Sequence, residues 1–293
     1  MSNDLRRGAL LLLAGELMLS VMAALIKQLS QDISHEMLVF TRNLFGLAFL
    51  LPIIGHHGWR QLKTQRFPLH LMRSVVGVSA MYGYFYVITH LPLAEAALVK
   101  LSSPFFLPII ALIWLGERIS HRTLWAIIIG FVGVVFVLRP GSETFQPMAV
   151  VGVAAAALAS LAKVTIRRMA NTEPSYRIVF YFGLLATLVS AVPLLWGWQT
   201  PALSALPWLV AVGFTGTLGQ LLITRAYQVA NPGQVGPYTY AAVLYAALFG
   251  WMFWGEVVVL TTIIGSALIV GAGILNMRSR APEPRSDPDT TPS

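Results

Sequence analysis

Residues 86–120 read YVITHLPLAEAALVKLSSPFFLPIIALIWLGERIS. The middle of this stretch, residues 94–114, is a mostly apolar run closed by a Leu-Pro turn before it and by Gly-Glu-Arg after it. Crossing the hydrocarbon core of a bilayer takes about 20 such residues at about 1.5 Å each. Pro104 and Pro108 fall inside the run, and so does Lys100. A run of this length decides the fold class only if the rest of the chain repeats it.

It does. Working outward, mostly apolar runs cover 8–29, 36–54, 69–90, 122–138, 148–168, 175–195, 206–229, 233–254 and 257–276, which with 94–114 makes ten expected transmembrane helices. The composition agrees: 56% of the 293 residues are hydrophobic and 11% are charged, against about 25% charged in soluble domains. Mean hydropathy is +0.71. So few charges do not cover a water-facing surface, so most of the surface faces lipid. The short connections make sequence neighbours antiparallel hairpins. The tail from 279 to 293 is almost free of apolar residues and is expected to be disordered.

The net charge of +8 is not a nucleic-acid signature, because the basic residues sit at the ends of the apolar runs. Arg6 and Arg7 open the chain, Arg60, Lys63 and Arg66 lie in the second connection, and Arg118 and Arg122 in the fourth. Arg167, Arg168 and Arg177 flank the sixth, and Arg278, Arg280 and Arg285 close the chain. The alternate connections hold Arg139, with Lys27 at a helix end. By the positive-inside rule both termini are cytoplasmic, as expected of a bacterial inner-membrane protein, and the number of spans is even. The eight tryptophans lie near span ends, as in an aromatic belt. The first run lacks a small-residue cleavage pattern and reads as a retained helix. Cysteine is absent, which excludes thiolate metal sites; no metal or cofactor is expected.

A shift of 139 residues brings the two halves of the chain into register. Gly116–Glu117 falls on Gly255–Glu256, Arg139 on Arg278, and Ser74, Gly77 and Ala80 on Gly213, Gly216 and Gly219. Small residues at such spacing let helices approach closely. Near the start of each half the shift is about 140, with Ser20 on Ser160 and Ile26–Lys27 on Ile166–Arg167. Residues 1–138 and 148–278 are therefore expected to be two five-helix repeats. An odd number of spans per repeat inverts the second against the first, the architecture of alternating-access carriers with a site at the midplane.

The stretch 86–120, with its helix after a short turn, Pro104 within it and a terminal Gly-Glu-Arg, resembles the third-to-fifth helix signature of the EamA-type drug/metabolite transporter superfamily. The second copy, 226–257, keeps Gly255–Glu256 but has Val257 in place of Arg118 and Val243 in place of Pro104. The resemblance covers residues 5–278. Within the superfamily it is similar to the bacterial aromatic amino-acid exporters of the YddG type. It implies a secondary carrier, with the third, fourth, eighth and ninth spans nearest the central cavity and the first and sixth beside them.

Charges inside spans are costly and mark candidate functional residues. Glu16 lies about 12 Å into the first span; it either locks two helices as an ion pair or meets a substrate amine or a proton. Lys163 sits in the sixth span among Ala154–Ala157, Ala159, Ser160 and Ala162, which leave room beside it; the alternative is that it reaches inward to the headgroups. Lys100, Arg225 and Arg42 are further intramembrane charges, Arg42 read as mainly structural, while Arg73 is expected to snorkel to the headgroups. Basic groups outnumber acids, which favours a substrate with a carboxylate or other anionic group. Tyr82, Tyr84 and Tyr86 lie in the third span and Tyr238, Tyr240 and Tyr245 in the ninth. Tyr82 is expected near the midplane, where its ring stacks on a substrate or its hydroxyl bonds a neighbouring backbone. The candidate substrate-binding set is Tyr82, Lys163, Tyr238 and Glu16. Pro104, Pro108 and Pro237 each remove a helix donor and either line a cavity or form plain kinks.

An amino acid, aromatic or otherwise neutral, is the expected small-molecule cargo. A monomer suffices, though the sequence leaves oligomeric state open. Two other classes fit less well. Gly77-Val78-Ser79 resembles the Gly-x-Ser of intramembrane serine proteases, but none of the six histidines lies beyond the start of the fifth span, and His90 shares a helix with Ser79. His35–Glu36 is not a metalloprotease pair, since position 39 is valine, and no nucleotide-binding P-loop exists. A channel or structural membrane protein is the third class, which the internal repeat argues against.

Overall fold

A computed structural model of the chain describes residues 3–57, 62–116, 119–139, 148–169, 172–230 and 235–279. Glu117, Arg118, Trp59, Arg60 and the expected disordered tail beyond Ser279 lie outside the described residues. Within them the protein is helical, with no strand. The helices are α1 (Asn3–Leu29), α2 (His35–His57), α3 (Phe67–His90), α4 (Leu93–Lys100), α5 (Ser103–Leu115), α6 (His121–Leu138), α7 (Met148–Met169) and α8 (Ser175–Ala191). The short α9 (Leu194–Gly197), then α10 (Leu206–Val229), a 3-10 turn at Gly236–Tyr240, α11 (Ala241–Trp254) and α12 (Leu260–Ser279) complete the chain.

Five helical stretches among the described residues are long and apolar enough to cross a membrane: Asp4–Leu29, Phe67–His90, Leu93–Trp114, His121–Leu138 and Leu203–Ala226. Large apolar side chains lie bare on the outside, among them Ile113 at 78% and Leu244 at 71% exposure. In water these would be a liability, whereas in lipid they are the solvent-facing surface. The protein is a multi-pass membrane protein.

The fourth expected span is not one helix. It breaks between α4 and α5 at a turn over Leu101 and Ser102. Proline explains the break: Pro104 and Pro108 cannot donate to the carbonyls one turn earlier. The carbonyl that Pro108 leaves free, that of Pro104, accepts instead from Asn276 Nδ2 of α12 at 3.3 Å. The carbonyl of Ser103 accepts from Ser160 Oγ of α7 at 2.6 Å. The repeat shift of 139 places Leu101 on Tyr240, where the 3-10 turn passes into α11. The described part of the ninth expected span, from Val235, thus changes from 3-10 turn to α-helix at that position.

Gly116 and Gly255 close α5 and α11 in the left-handed region, at φ +70° and +65°. The Glu256 N–H reaches back to the Gly250 carbonyl at 3.1 Å, a glycine-dependent helix stop.

α1 packs on α10 as α3 packs on α7, α2 on α10 as α3 on α8, and α1 on α11 as α5 on α7. Further pairings join α6 to α12, α2 to α8, α4 to α11 and α4 to α7. Where α6 crosses α12 the backbones touch: a Cβ on Gly265 would sit 2.7 Å from the Gly133 carbonyl oxygen. The small-residue ridge of α10 packs as closely, with Gly219 against Gly15 of α1. The far face of the bundle carries the end of α1, the starts of α2 and α4, and the ends of α3, α6 and α11; the near face carries the start of α1 and the α7–α8 turn.

Candidate functional site

Glu16 of α1 is buried at mid-helix, in electrostatic contact with Lys100 at the end of α4 and Lys163 of α7. Lys100 Nζ lies 5.4 Å from the centre of the Tyr84 ring, a cation–π contact. Lys163 Nζ donates to Ser103 Oγ at 3.0 Å, and Ser103 Oγ is 2.8 Å from Ser160 Oγ. Glu16, Ser103 and Ser160 are buried, yet Lys163 remains exposed. A charged group beside buried Glu16 and Ser103 and half-buried Lys100, and still exposed, borders an open space. One acid between two ammonium groups, with an aromatic face and two hydroxyls, can receive a carboxylate on the lysines and an amine on Glu16.

Of the residues read from the sequence, the structure brings Glu16 and Lys163 together. Tyr82 points elsewhere: its hydroxyl is 3.5 Å from the Ser190 carbonyl of α8. Tyr238 packs on Leu12, Ala226 and Val235. Neither joins the Glu16 group. Tyr84 and Ser103 are the additions; Tyr84 was visible as a mid-span tyrosine, but only the rotation of α3 tells it from Tyr82. Arg73 does not snorkel: its guanidinium stacks 3.8 Å from the Phe182 ring, with Nε and Nη1 buried.

The far face is closed by two ion pairs. Lys27 meets Glu256, and Lys27 Nζ also donates to the Leu91 carbonyl at 2.9 Å. Glu256 Oε2 accepts from the Leu93 N–H at 2.8 Å, so one carboxylate ties α1 and the start of α4 to the turn after α11. Arg139, at the end of α6, meets Glu95 of α4, which also accepts from Thr262 Oγ1 of α12 at 2.9 Å. A shallow cavity beside these pairs is lined by Ala94, Glu95, Ala247, Glu256 and Thr262 and does not reach Lys163. The sequence showed Lys27 as a helix-end charge and Arg139 as a loop charge, both also repeat marks, and Glu256 only as a repeat mark.

On the near face Glu173, between α7 and α8, accepts from Thr64 Oγ1 at 2.6 Å and Arg177 Nη1 at 2.8 Å, with His70 Nε2 at 3.7 Å. Burial pushes its carboxyl up, but the bonds from Thr64 and Arg177 and the charge of Arg177 outweigh it and hold the group below the ordinary carboxylate value. This cluster ties the connection before α3 to α8.

Among the described residues, no group of three or more histidines and acids is placed to hold a metal ion.

Residues 6–139 and 146–278 each match the EamA-like transporter family. The chain is 35% identical over 279 residues to the pseudopaline exporter CntI of Pseudomonas aeruginosa (strain UCBPP-PA14), covering 94% of this chain and 98% of that protein. It is 26% identical over 254 residues to a riboflavin transporter of Brucella anthropi, covering 84% and 89%. It is 28% identical over 233 residues to an S-adenosylmethionine uptake transporter of Rickettsia bellii, covering 80% of each. A crystal structure at 22% identity shares the fold, with a TM-score of 0.65 over 94% of this chain and 99% of that one.

Proposed function

The chain belongs to the EamA-like transporter family, and from that premise we propose that it exports small molecules of the amino-acid class by alternating access. The relatives carry names as different as pseudopaline, riboflavin and S-adenosylmethionine. Family membership therefore gives transport of a small molecule, and the substrate class has to come from the site. The observation that carries the proposal is the buried Glu16 between Lys100 and Lys163, beside the Tyr84 ring. It complements a zwitterion: the lysines take the carboxylate, Glu16 the amine, and Tyr84 an apolar or aromatic side chain. Tyr82 and Tyr238 stand outside this set.

We place the site at the midplane between two inverted five-helix repeats of a ten-span bundle, in an inner membrane with both termini cytoplasmic. Three features support that placement. The family matches the chain twice, once per half. Exchanging the halves turns the α1–α10 pairing into α3–α7, and α2–α10 into α3–α8. The break after α4 and the change from 3-10 turn to α11 fall 139 residues apart, and interrupted helices are where carriers place their binding sites. The far-face ion pairs then make this the state closed to the outside. A channel would need a route past that seal.

The test is uptake into proteoliposomes with a panel of radiolabelled amino acids. Saturable uptake and counterflow are expected for some of them, with aromatic and neutral residues included. Non-saturable flux without counterflow would point to a channel, and saturable transport of other metabolites alone would sink the amino-acid assignment.

A further inference from the structure

The four helices α2, α3, α8 and α10 enclose two arginines with little acid to balance them. Arg42 of α2 is 6% exposed. Its Nη1 donates to Asn43 Oδ1 at 3.1 Å and its Nη2 lies 3.5 Å from Gln220 Oε1, but its Nε has no partner. Arg73 of α3 leaves Nε and Nη1 buried and unpartnered above the Phe182 ring. The two guanidinium groups are close enough to repel one another. Glu36, in the first turn of α2, is the one acid on these four helices, and it lies about 9 Å along the helix from Arg42. His70 lies beside Arg73, and the acid before α8, Glu173, is already engaged with His70 and Arg177. Glu16 of the neighbouring α1 is engaged with Lys100 and Lys163.

A guanidinium does not shed its charge by deprotonating, and unpaired N–H groups away from water are costly. Arg42 packs against the backbone of α10 at Gly216, where a Cβ would sit 2.7 Å from Met22 Sδ and 3.3 Å from Arg42 Nε. The N–H groups left without a partner are Arg42 Nε and Arg73 Nε and Nη1, guanidinium donors of the kind that hold an oxyanion.

We propose that Arg42 and Arg73 form a second anion-binding site, separate from the Lys163 group, that takes a carboxylate on the unpartnered N–H groups of the two guanidiniums. The occupant is either a carboxylate of the cargo or a free oxyanion that accompanies it. In the first case the substrate carries an acidic group beyond the one held by the lysines. The inference stands on the unpartnered guanidinium edges, not on the Lys163 assignment, and Lys163→Gln serves as the control that separates the two.

The experiment uses the full chain purified in detergent, with thermal melts followed by intrinsic tryptophan fluorescence. Sodium glutarate and sodium sulfate are titrated at constant ionic strength, with sodium chloride as the balancing salt. A saturable rise in melting temperature is expected for wild type and for Lys163→Gln. The apparent Kd should rise at least about tenfold in Arg42→Gln and Arg73→Gln. Arg42→Lys and Arg73→Lys keep the charge and lose the planar fork of donors, so they decide the matter should a glutamine variant fail to fold, and each should weaken binding as well. A response to glutarate but not sulfate assigns the site to a cargo carboxylate, whereas equal responses assign it to a free oxyanion. Variant titrations that superimpose on wild type, or no saturable response to either salt, overturn the proposal.

Discussion

Glu256→Gln tests how the far face is held shut. The carboxylate accepts from Lys27 Nζ on one oxygen and from the Leu93 N–H at 2.8 Å on the other. The ion-pair side chains are 14% and 16% exposed, so solvent does not screen the pair as it would on an open surface. Glutamine has one accepting oxygen where glutamate has two. It keeps one bond and turns an NH2 donor toward the other donor, so one charge-assisted bond is lost, at about 1.5–3 kcal/mol. If the pair exists only while the far face is closed, the whole loss appears in the closed–open equilibrium, a shift of roughly 10- to 100-fold toward opening. The chain has no cysteine, so Ala247→Cys, in the cavity wall beside Glu256, makes a single reporter. Its labelling rate with a membrane-impermeant maleimide supplied from the far side should rise at least about tenfold in the Glu256→Gln background. An unchanged rate in a folded variant would show that the pair is scaffold and not a gate.

Lys163→Gln should raise the apparent KM for amino-acid transport by roughly 10- to 100-fold, the equivalent of one charge-assisted bond, while expression and melting temperature stay near wild type; transport assays at several substrate concentrations read this directly. Gly265→Ala places a methyl 2.7 Å from the Gly133 carbonyl oxygen, and the backbone contact has nowhere to yield. A loss of about 1–3 kcal/mol is expected, seen as a lower melting temperature in detergent. Glu173 has its carboxyl held below the ordinary value, so its contribution to stability is complete above that ordinary value and is lost as pH falls through its own lower one. The melting temperature should therefore drop in acid more for wild type than for Glu173→Gln, with the variant already less stable at neutral pH; parallel pH profiles would refute the linkage.

Much of the architecture could be read from the chain alone. The helix over 67–90 and that over 206–229 were legible because lipid imposes an apolar run of fixed length whatever the neighbouring helices do. The Gly-Glu pairs were legible too, since only glycine stops a helix comfortably in the left-handed region, as Gly116 and Gly255 do. The break between α4 and α5 was half visible: Pro104 and Pro108 announced lost donors, but whether the helix bends or ends depends on outside groups such as Asn276 taking over a freed carbonyl.

Glu16 and Lys163 could be named from sequence because a charge inside an apolar run has no neutral explanation. Their being neighbours could not be. Each residue turns a helix by about 100°, so an error of one position moves a side chain from cavity to lipid, and spacing within a helix never says which other helix lies opposite. That is why Tyr82 looked like the midplane aromatic while Tyr84 meets Lys100. It is also why Lys27 and Glu256, 229 residues apart, showed as a helix-end charge and a repeat mark until the fold paired them. The sequence alone determined that this chain lives in a membrane, where its helices run and which charges they carry. Tertiary structure decided which of those charges meet, because helix rotation and crossing are set by packing between helices and not by the order of residues within one.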